Sequence, residues 1–332
     1  MVDHFPDGAR PDPDAAYARW LATCRDAGWR GQPAAEPVRV QDALARVTAA
    51  PIGAGELVIL AGQRLRPADL AVVAAAGHRT LDVARKPAVA IIPTGDEIRP
   101  VGADLGPGDL IDTNSLMLAL LARDAGASAA VSDIQPDDPD MITAEIRRTA
   151  AAAGLVLVLA GSSAGRSDYA ATAIAAAGGL AVRGVAVRPG HPALLGYART
   201  GPERAGRPVP VIGVPGYPLS AVVIFNLFAR PLLAALQGWH APEPAHQQAE
   251  LACDWTSSTD AEHWVLVTLA PAGDTFLATP GRRGAGSISR LMRAHAWWRI
   301  PSGQPKFDHG ELIDVQPIQG APQVPDADHR GS

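Results

Sequence analysis

The sequence predicts an α/β fold: a mostly parallel sheet with helices on both faces, a short α/β segment before it and a small β domain after it. Three observations predict this. Apolar runs such as "AVAII" (88–92) and "LVLVLA" (155–160) alternate with helical stretches between residues 86 and 238. That is the pattern of βαβ units whose strands are covered on both faces. After a Pro/Ala/Gln linker, the runs "HWVLVTL", "TFLAT", "AWWRIP" and "ELIDVQPI" read as strands and mark a separate β domain. Finally, 332 residues with 47% hydrophobic content suffice for two or three cores.

The elements follow in order. Residues 1–13 are polar and rich in Pro and Gly, and are expected to be disordered. Residues 14–85 form the N-terminal segment. It contains a helix over 15–28 closed by Gly28, a shorter helix over 40–49 and a strand over 55–62. A helix over 66–77 has Pro67 in its first turn and Gly77 past its last. In the central domain (86–238), strands are predicted at 88–92, 127–134, 155–160, 180–187, 193–198 and 209–214. Helices are predicted at 113–126, 138–154, 168–179 and 218–236. Residues 239–250 read as a linker, 251–318 as the C-terminal β domain and 319–332 as a tail.

Composition excludes several classes. A net charge of −5 argues against a general nucleic-acid binder, which needs a basic face. Cys24 and Cys253 stand far apart with no CxxC, so neither a disulfide framework nor a zinc site is expected. The first residues carry no apolar signal core, and a cytoplasmic location is expected. The longest apolar stretch, 219–236, contains Asn226, Arg230 and Pro231, and reads as a buried helix rather than a membrane span. No Ser/His/Asp order or Cys/His pair supports nucleophilic catalysis.

In such sheets ligands sit beyond the carboxyl ends of the strands. Five loops fall there, all rich in Gly, Pro or Asp: "PTGDE" (93–97), "QPDDP" (135–139), "AGSSAGRSD" (160–168), "RPGHP" (188–192) and "PGYP" (215–218). Gly161, Ser162, Ser163 and Gly165 bare the backbone before a helix, which suits an anion or equally a tight turn with Asp168 as a cap. Thr94 and Gly95 precede Asp96 and Glu97, adjacent carboxylates of the kind Mg²⁺ uses, though Gly-Asp is also an ordinary turn. Asp138 is the better helix cap, which leaves Asp137 open for a cation. Arg188 and His191 flank Gly190, and a guanidinium suits phosphate or an oxyanion such as molybdate. Pro215, Gly216 and Pro218 make a rigid loop before a long helix, a substrate wall or only a turn.

Taken in order, "VAIIPTGDEI", "GDLIDTNSLMLALLARDAGA", "IQPDDPD", "AGSSAGRSDY", "GVAVRPGHPALLG" and "VIGVPGYPLSAVVIFNLFARPLLAALQG" resemble the molybdopterin-binding domain of the MoeA-type molybdopterin molybdenumtransferases, the group that includes the gephyrin E domain. Residues 250–318 are similar to the C-terminal β domain of that family. The resemblance implies insertion of molybdate into adenylylated molybdopterin with release of AMP, with Mg²⁺. It also implies a homodimer, with other cofactor-biosynthesis proteins as partners. It places Glu97, Asp137 and Asp168 in metal and oxyanion handling, and matches Arg188 and His191 to the two lysines of a "KPGKP" motif. Pro215 and Pro218 match the prolines of "PGNP". The chain departs from the pattern in three places. A β-rich domain expected after "RVTAAPI" is missing, Gly184 stands for a lysine, and Leu266 stands for an arginine. Each lost donor to an anion costs about 1.5–3 kcal/mol. Two further readings follow: a non-catalytic molybdopterin carrier or regulator, and a molybdopterin adenylyltransferase.

Overall fold

The central strands are apolar almost throughout, so they can pair only where both faces are covered. Every residue of 208–215 is buried, as are five of the six residues at 88–93. The computed structural model describes residues 10–31, 33–53, 57–160, 166–200, 206–239, 241–281, 288–318 and 321. The N-terminal part contains α1 (Pro13–Asp26), β1 (Ala35–Arg39), β2 (Ile52–Gly53), β3 (Leu57–Ile59), α2 (Pro67–Ala75) and β4 (Thr80–Ala84). The central part begins with β5 (Ala88–Pro93), β6 (Ile98–Arg99), β7 (Leu110–Ile111), α3 (Asn114–Asp124), β8 (Ser128–Val131), α4 (Pro139–Ala150), β9 (Leu155–Ala160) and α5 (Arg166–Ala177). It continues through β10 (Gly178–Arg183), β11 (Val187–Arg188), β12 (Leu194–Arg199), β13 (Pro208–Pro215), α6 (Pro218–Ile224) and α7 (Arg230–Leu236). The C-terminal part holds β14 (Gln247–Leu251), β15 (Trp255–Thr256), β16 (Glu262–Ala272), β17 (Thr275–Pro280), α8 (Ile288–Arg293), β18 (Ala296–Ile300), β19 (Lys306–Phe307) and β20 (Leu312–Pro317).

The central sheet has the order β10-β12-β13-β9-β5-β8. The pairings β13–β9, β9–β5 and β5–β8 are parallel, whereas β12 pairs antiparallel with both β13 and β10 and so runs backwards in this sheet. One face is covered by α1, α3, α6 and α7, around Trp20, Leu118, Phe225 and Phe228. The other is covered by α4 and α5, around Ile142, Ile146 and Ile174. The C-terminal sheet runs β11-β16-β17-β14-β20-β18, and β18 pairs with β16 as well. Trp298 and Phe307 pack edge to face in its core, ring centroids 4.8 Å apart.

Helix α1 opens the chain but packs on the central sheet. Asp12 caps it, accepting from the Ala15 N–H at 2.8 Å, and Pro13 takes the first turn. Its Trp20 is fully buried and donates its indole N–H to the Gly196 carbonyl at 2.6 Å. Gly196 is required there, because a Cβ would meet the Gly179 carbonyl and, at 2.6 Å, Ile174.

Three expectations are corrected. The helix predicted over 40–49 is a single 3-10 turn, Val40–Asp42. Ala45 adopts φ +59, and Val47 and Thr48 bridge to Arg64 and Val83, so tertiary pairing overrides a modest helical pattern. The strand predicted over 180–187 is two strands in two sheets, broken at Gly184 with φ +84. The helix over 218–236 widens to a π turn at Phe225–Ala229. Pro231 has no N–H to donate and its ring crowds the carbonyl of Leu227, which the wider turn relieves. This segment has a length and composition that could cross a membrane, but 61% of it is buried among the core helices.

Where the resemblance places an inserted domain, β2 and β3 pair directly as a short hairpin, Ile52 opposite Ile59; residues 54–56 lie outside the described residues. Truncating Trp20 tests the seam between α1 and the sheet. Trp20→Ala should cost about 3–5 kcal/mol, and Trp20→Phe about 0.5–1.5 kcal/mol through the lost hydrogen bond to the Gly196 carbonyl, which keeps the weak Cys24 thiol as a donor. Urea unfolding followed by circular dichroism measures both; equal, small losses would mean that α1 is not part of the core.

Candidate functional site

Four of the candidate loops meet one edge of the central sheet, and β9, which leads into the fifth, ends there as well. Parallel pairing puts the carboxyl ends of β13, β9 and β5 level: Pro215 lies opposite Ala160, and Leu159 opposite both Val214 and Pro93. The loop at 188–193 precedes its strand rather than following it. It joins the same edge because β12 runs backwards, with Leu194 opposite Gly213. Along the edge therefore run 188–193, 215–218, the end of β9 at Ala160, 93–97 and 132–138.

One end is acidic. Gly95 N–H donates to the Gln135 carbonyl at 3.0 Å, and Asp137 N–H reaches an Asp96 carboxylate oxygen at 3.3 Å, so the loops carrying the acids are tied together. Asp96, Glu97, Asp109 and Asp137 line a cleft of about 550 Å³ with Pro107, Gly108 and Tyr169. Asp109 and Tyr169 were not singled out from the sequence. Arg99 holds Asp109 at 2.9 Å, and the short parallel pair β6–β7 fixes the flap between them. Thr94 does not present its hydroxyl to the cleft: it is 5% exposed and donates to the Leu159 carbonyl at 2.6 Å, stitching β5 to β9. Asp138 caps α4, accepting from the N–H groups of Asp140 and Met141.

The middle of the edge holds "PGYP". Gly161, Ser162, Ser163 and Gly165 lie outside the described residues. Asp168 falls within the first turn of α5, past the cap position considered from sequence. Pro215 is buried and Pro218 opens α6. Asn114, at the start of α3, donates its side-chain N–H to the Gly216 carbonyl at 2.7 Å and so pins this loop. Asp112 caps the same turn through the Ser115 N–H at 2.9 Å. Sequence reading marked these residues only as a helix start.

The far end is cationic. Arg188 is exposed and pairs with Asp260 of the C-terminal domain at 2.8 Å, a contact set up by the parallel pairing of β11 with β16. Hydrogen bonds from Ser258 and Arg188 hold the Asp260 carboxyl at a pKa of about 2. Ser258 Oγ also lies 2.8 Å from His263 Nε2. The His191 imidazole is pushed below its ordinary value, first by partial burial and then by the charges of Arg10 and Arg188. Gly190 lets this loop close on the core, since a Cβ there would meet Ile224 at 2.9 Å. At Gly184 a Cβ would meet Arg10. Leu266 is buried in the core shared with Trp264 and Trp297, so no donor stands at that position. The edge thus brings Asp96, Glu97 and Asp137 together and sets Arg188 and His191 apart from them.

Known proteins share the central and C-terminal parts of this chain. Residues 90–235 match a family described as a probable molybdopterin binding domain, and residues 248–318 match the MoeA C-terminal region, domain IV. A molybdopterin molybdenumtransferase 2 of Mycobacterium tuberculosis is 34% identical over 80% of this chain and 64% of its own length. The molybdopterin molybdenumtransferase of Nostoc is 29% identical over 81% of this chain and 62% of its own length. The chain thus spans less than two thirds of the length of these curated relatives. The structure of a molybdopterin biosynthesis MoeA protein from Pyrococcus horikoshii covers 93% of this chain at 22% identity with a TM-score of 0.76, a likeness of fold. A molybdenum cofactor biosynthesis protein from Pyrococcus furiosus covers the same share at 25% identity with a TM-score of 0.69.

Two outcomes are expected. Asn114→Ala should cost about 1–3 kcal/mol, the scale for leaving the Gly216 carbonyl without its donor. Unchanged urea unfolding would remove the proposed pin. Proton NMR should place the His191 titration below its ordinary 6.5. The folded chain then binds fewer protons than the unfolded chain. The contribution to stability is therefore full above the unfolded pKa and declines as pH falls through the folded one. A midpoint above 6.5 would contradict cationic surroundings.

Proposed function

We propose that this chain, whose central and C-terminal domains belong to the MoeA family, acts in molybdenum cofactor biosynthesis by binding adenylylated molybdopterin and inserting molybdate with release of AMP. The observation that carries the reading is the division of charge along one sheet edge. Three strand steps separate β12 from β5, about 14 Å at the usual inter-strand spacing. That span suits a long ligand with a phosphate at one end and a metal-binding group at the other. Arg188 and His191 hold the phosphate, while Gly161, Ser162, Ser163 and Gly165 are assigned to the ligand by the bare sequence of their loop alone. Gly190, Pro215, Gly216 and Pro218 shape the wall between. Glu97, Asp137 and Asp168, with Asp96, orient the molybdate end.

The donors fit Mg²⁺. Among the described residues no three acids, histidines or cysteines form a ready-made metal cage. Mg²⁺ does not need one, since it keeps several waters and takes one or two carboxylates with substrate oxygens. Bound by Asp96, Glu97 or Asp137, it would supply Lewis-acid polarisation of a phosphoryl or oxyanion oxygen. Without a cation these carboxylates repel an oxyanion, so the metal is what would admit molybdate to that end.

A second reading, a molybdopterin carrier without insertase activity, is favoured by Leu266 in the apolar core and by Arg188 held on Asp260. We further place the protein in the cytoplasm as a homodimer; a monomer by light scattering at micromolar concentration would contradict the latter.

An assay of AMP release from adenylylated molybdopterin separates the two readings. Release that requires molybdate selects the insertase, and tight binding without release selects the carrier. In the insertase, Glu97→Gln, Asp137→Asn and Asp168→Asn should each slow release by roughly a hundredfold, the scale of losing one group aimed at developing charge. Failure of the wild-type chain to bind the pterin at all would refute both readings.

A further inference from the structure

Arg10 comes from the segment just before α1, far in sequence from the sheet edge, yet it folds onto the cationic loop. The Pro11 carbonyl accepts from the Ala186 N–H at 2.7 Å, laying residues 10–12 against the strand break between β10 and β11. There Arg10 lies over Gly184: its Nε stands 2.7 Å, and its Cδ 2.9 Å, from the point a residue-184 Cβ would occupy. The His191 carbonyl lies 3.2 Å from the same point. Only glycine permits this, both because of the space and because φ is +84.

Three donor groups therefore converge on the loop at 184–191: the guanidinium of Arg10, the guanidinium of Arg188 and the imidazole of His191. Arg188 spends one Nη on Asp260, which leaves further donors on its fork. Among the described residues no carboxylate or carbonyl takes a hydrogen bond from Arg10. Partial burial first, and then the charges of Arg10 and Arg188, make the His191 imidazole give up its proton more readily, which sets both guanidiniums within Coulomb range of the ring. Asp260 pairs with Arg188 and the neighbouring Glu262 with Arg299, and cations gathered on this loop are further stabilised when an anion lies between them. Coulomb attraction and forked N–H donors then replace the repulsion.

We propose that Arg10 completes, with Arg188 and His191, a cradle for a tetrahedral oxyanion, either a phosphate ester or molybdate. The proposal rests on the reading of the sheet edge as a ligand site and adds a residue to it. The glycine at 184 is what lets a cation arrive from the N-terminal segment rather than from the loop itself.

The test is calorimetric titration of the full chain with inorganic phosphate and, separately, with molybdate, for wild type, Arg10→Gln and Arg10→Lys. Arg10→Gln should weaken at least one oxyanion by roughly tenfold, the low end for a lost charge-assisted hydrogen bond. Arg10→Lys should recover part of it, and urea unfolding should stay unchanged. Which oxyanion loses affinity identifies the occupant. In parallel, the His191 NMR titration should move upward in Arg10→Gln, and upward in wild type on adding the bound oxyanion; a merely structural arginine would not give the second shift. Wild-type affinity for both oxyanions in Arg10→Gln, or no binding of either by wild type, overturns the proposal. If wild type binds adenylylated pterin and Arg10→Gln binds it equally well, the proposal fails while the ligand site stands.

Discussion

The parallel pairing of β13, β9 and β5 is the constraint on which the rest of the molecule depends. These strands are apolar on both sides, so they must be covered by helices above and below. Covering them forces each connection to cross over and return, which delivers every loop after a parallel strand to the same edge. The reversal of β12 then brings a further loop to that edge from the opposite chain direction. The candidate site is where the core's topology leaves backbone ends and polar loops side by side.

The ends of that edge differ because different parts of the chain support them. The acidic end is built locally, from loops after β5 and β8 that hydrogen-bond to each other. The cationic end is a meeting of three regions. Its loop belongs to the central domain, Asp260 comes from the C-terminal sheet, and Arg10 comes from the segment that leads into α1. The seam between the two larger domains, β11 against β16, therefore also sets where Arg188 points. Hydrogen bonds from Ser258 and Arg188 hold the Asp260 carboxyl well below the usual carboxylate range, so it is ionised at physiological pH.

Most of the fold was legible because its signals are local. "AVAII" and "LVLVLA" became β5 and β9, and the Pro-first, Gly-last pattern of 66–77 became α2. The acids at 96, 97 and 137 were legible as a group because short loops at strand ends carry them. What was not legible depends on residues far apart in sequence. The segment 40–49 has a helical pattern, but Thr48 and Val47 are claimed by partners at 83 and 64. Gly184 read as a lost lysine, and nothing near it announced that Arg10 would lie over it. Thr94 looked like a ligand group in "PTGDE", yet its hydroxyl is spent on Leu159 inside the sheet.

The central claim is that one ligand lies along this edge, phosphate toward Arg188 and His191 and metal toward Asp96, Glu97 and Asp137. A crystal structure of the chain with molybdopterin and Mn²⁺, phased to show the metal's anomalous signal, tests it most directly. The account predicts the Mn²⁺ peak among the acids after β5 and β8, and the pterin phosphate on the guanidinium side, separated by about three strand spacings, ~14 Å. A phosphate coordinated directly to Mn²⁺ at the acidic end, with the cationic loop bare, would contradict it.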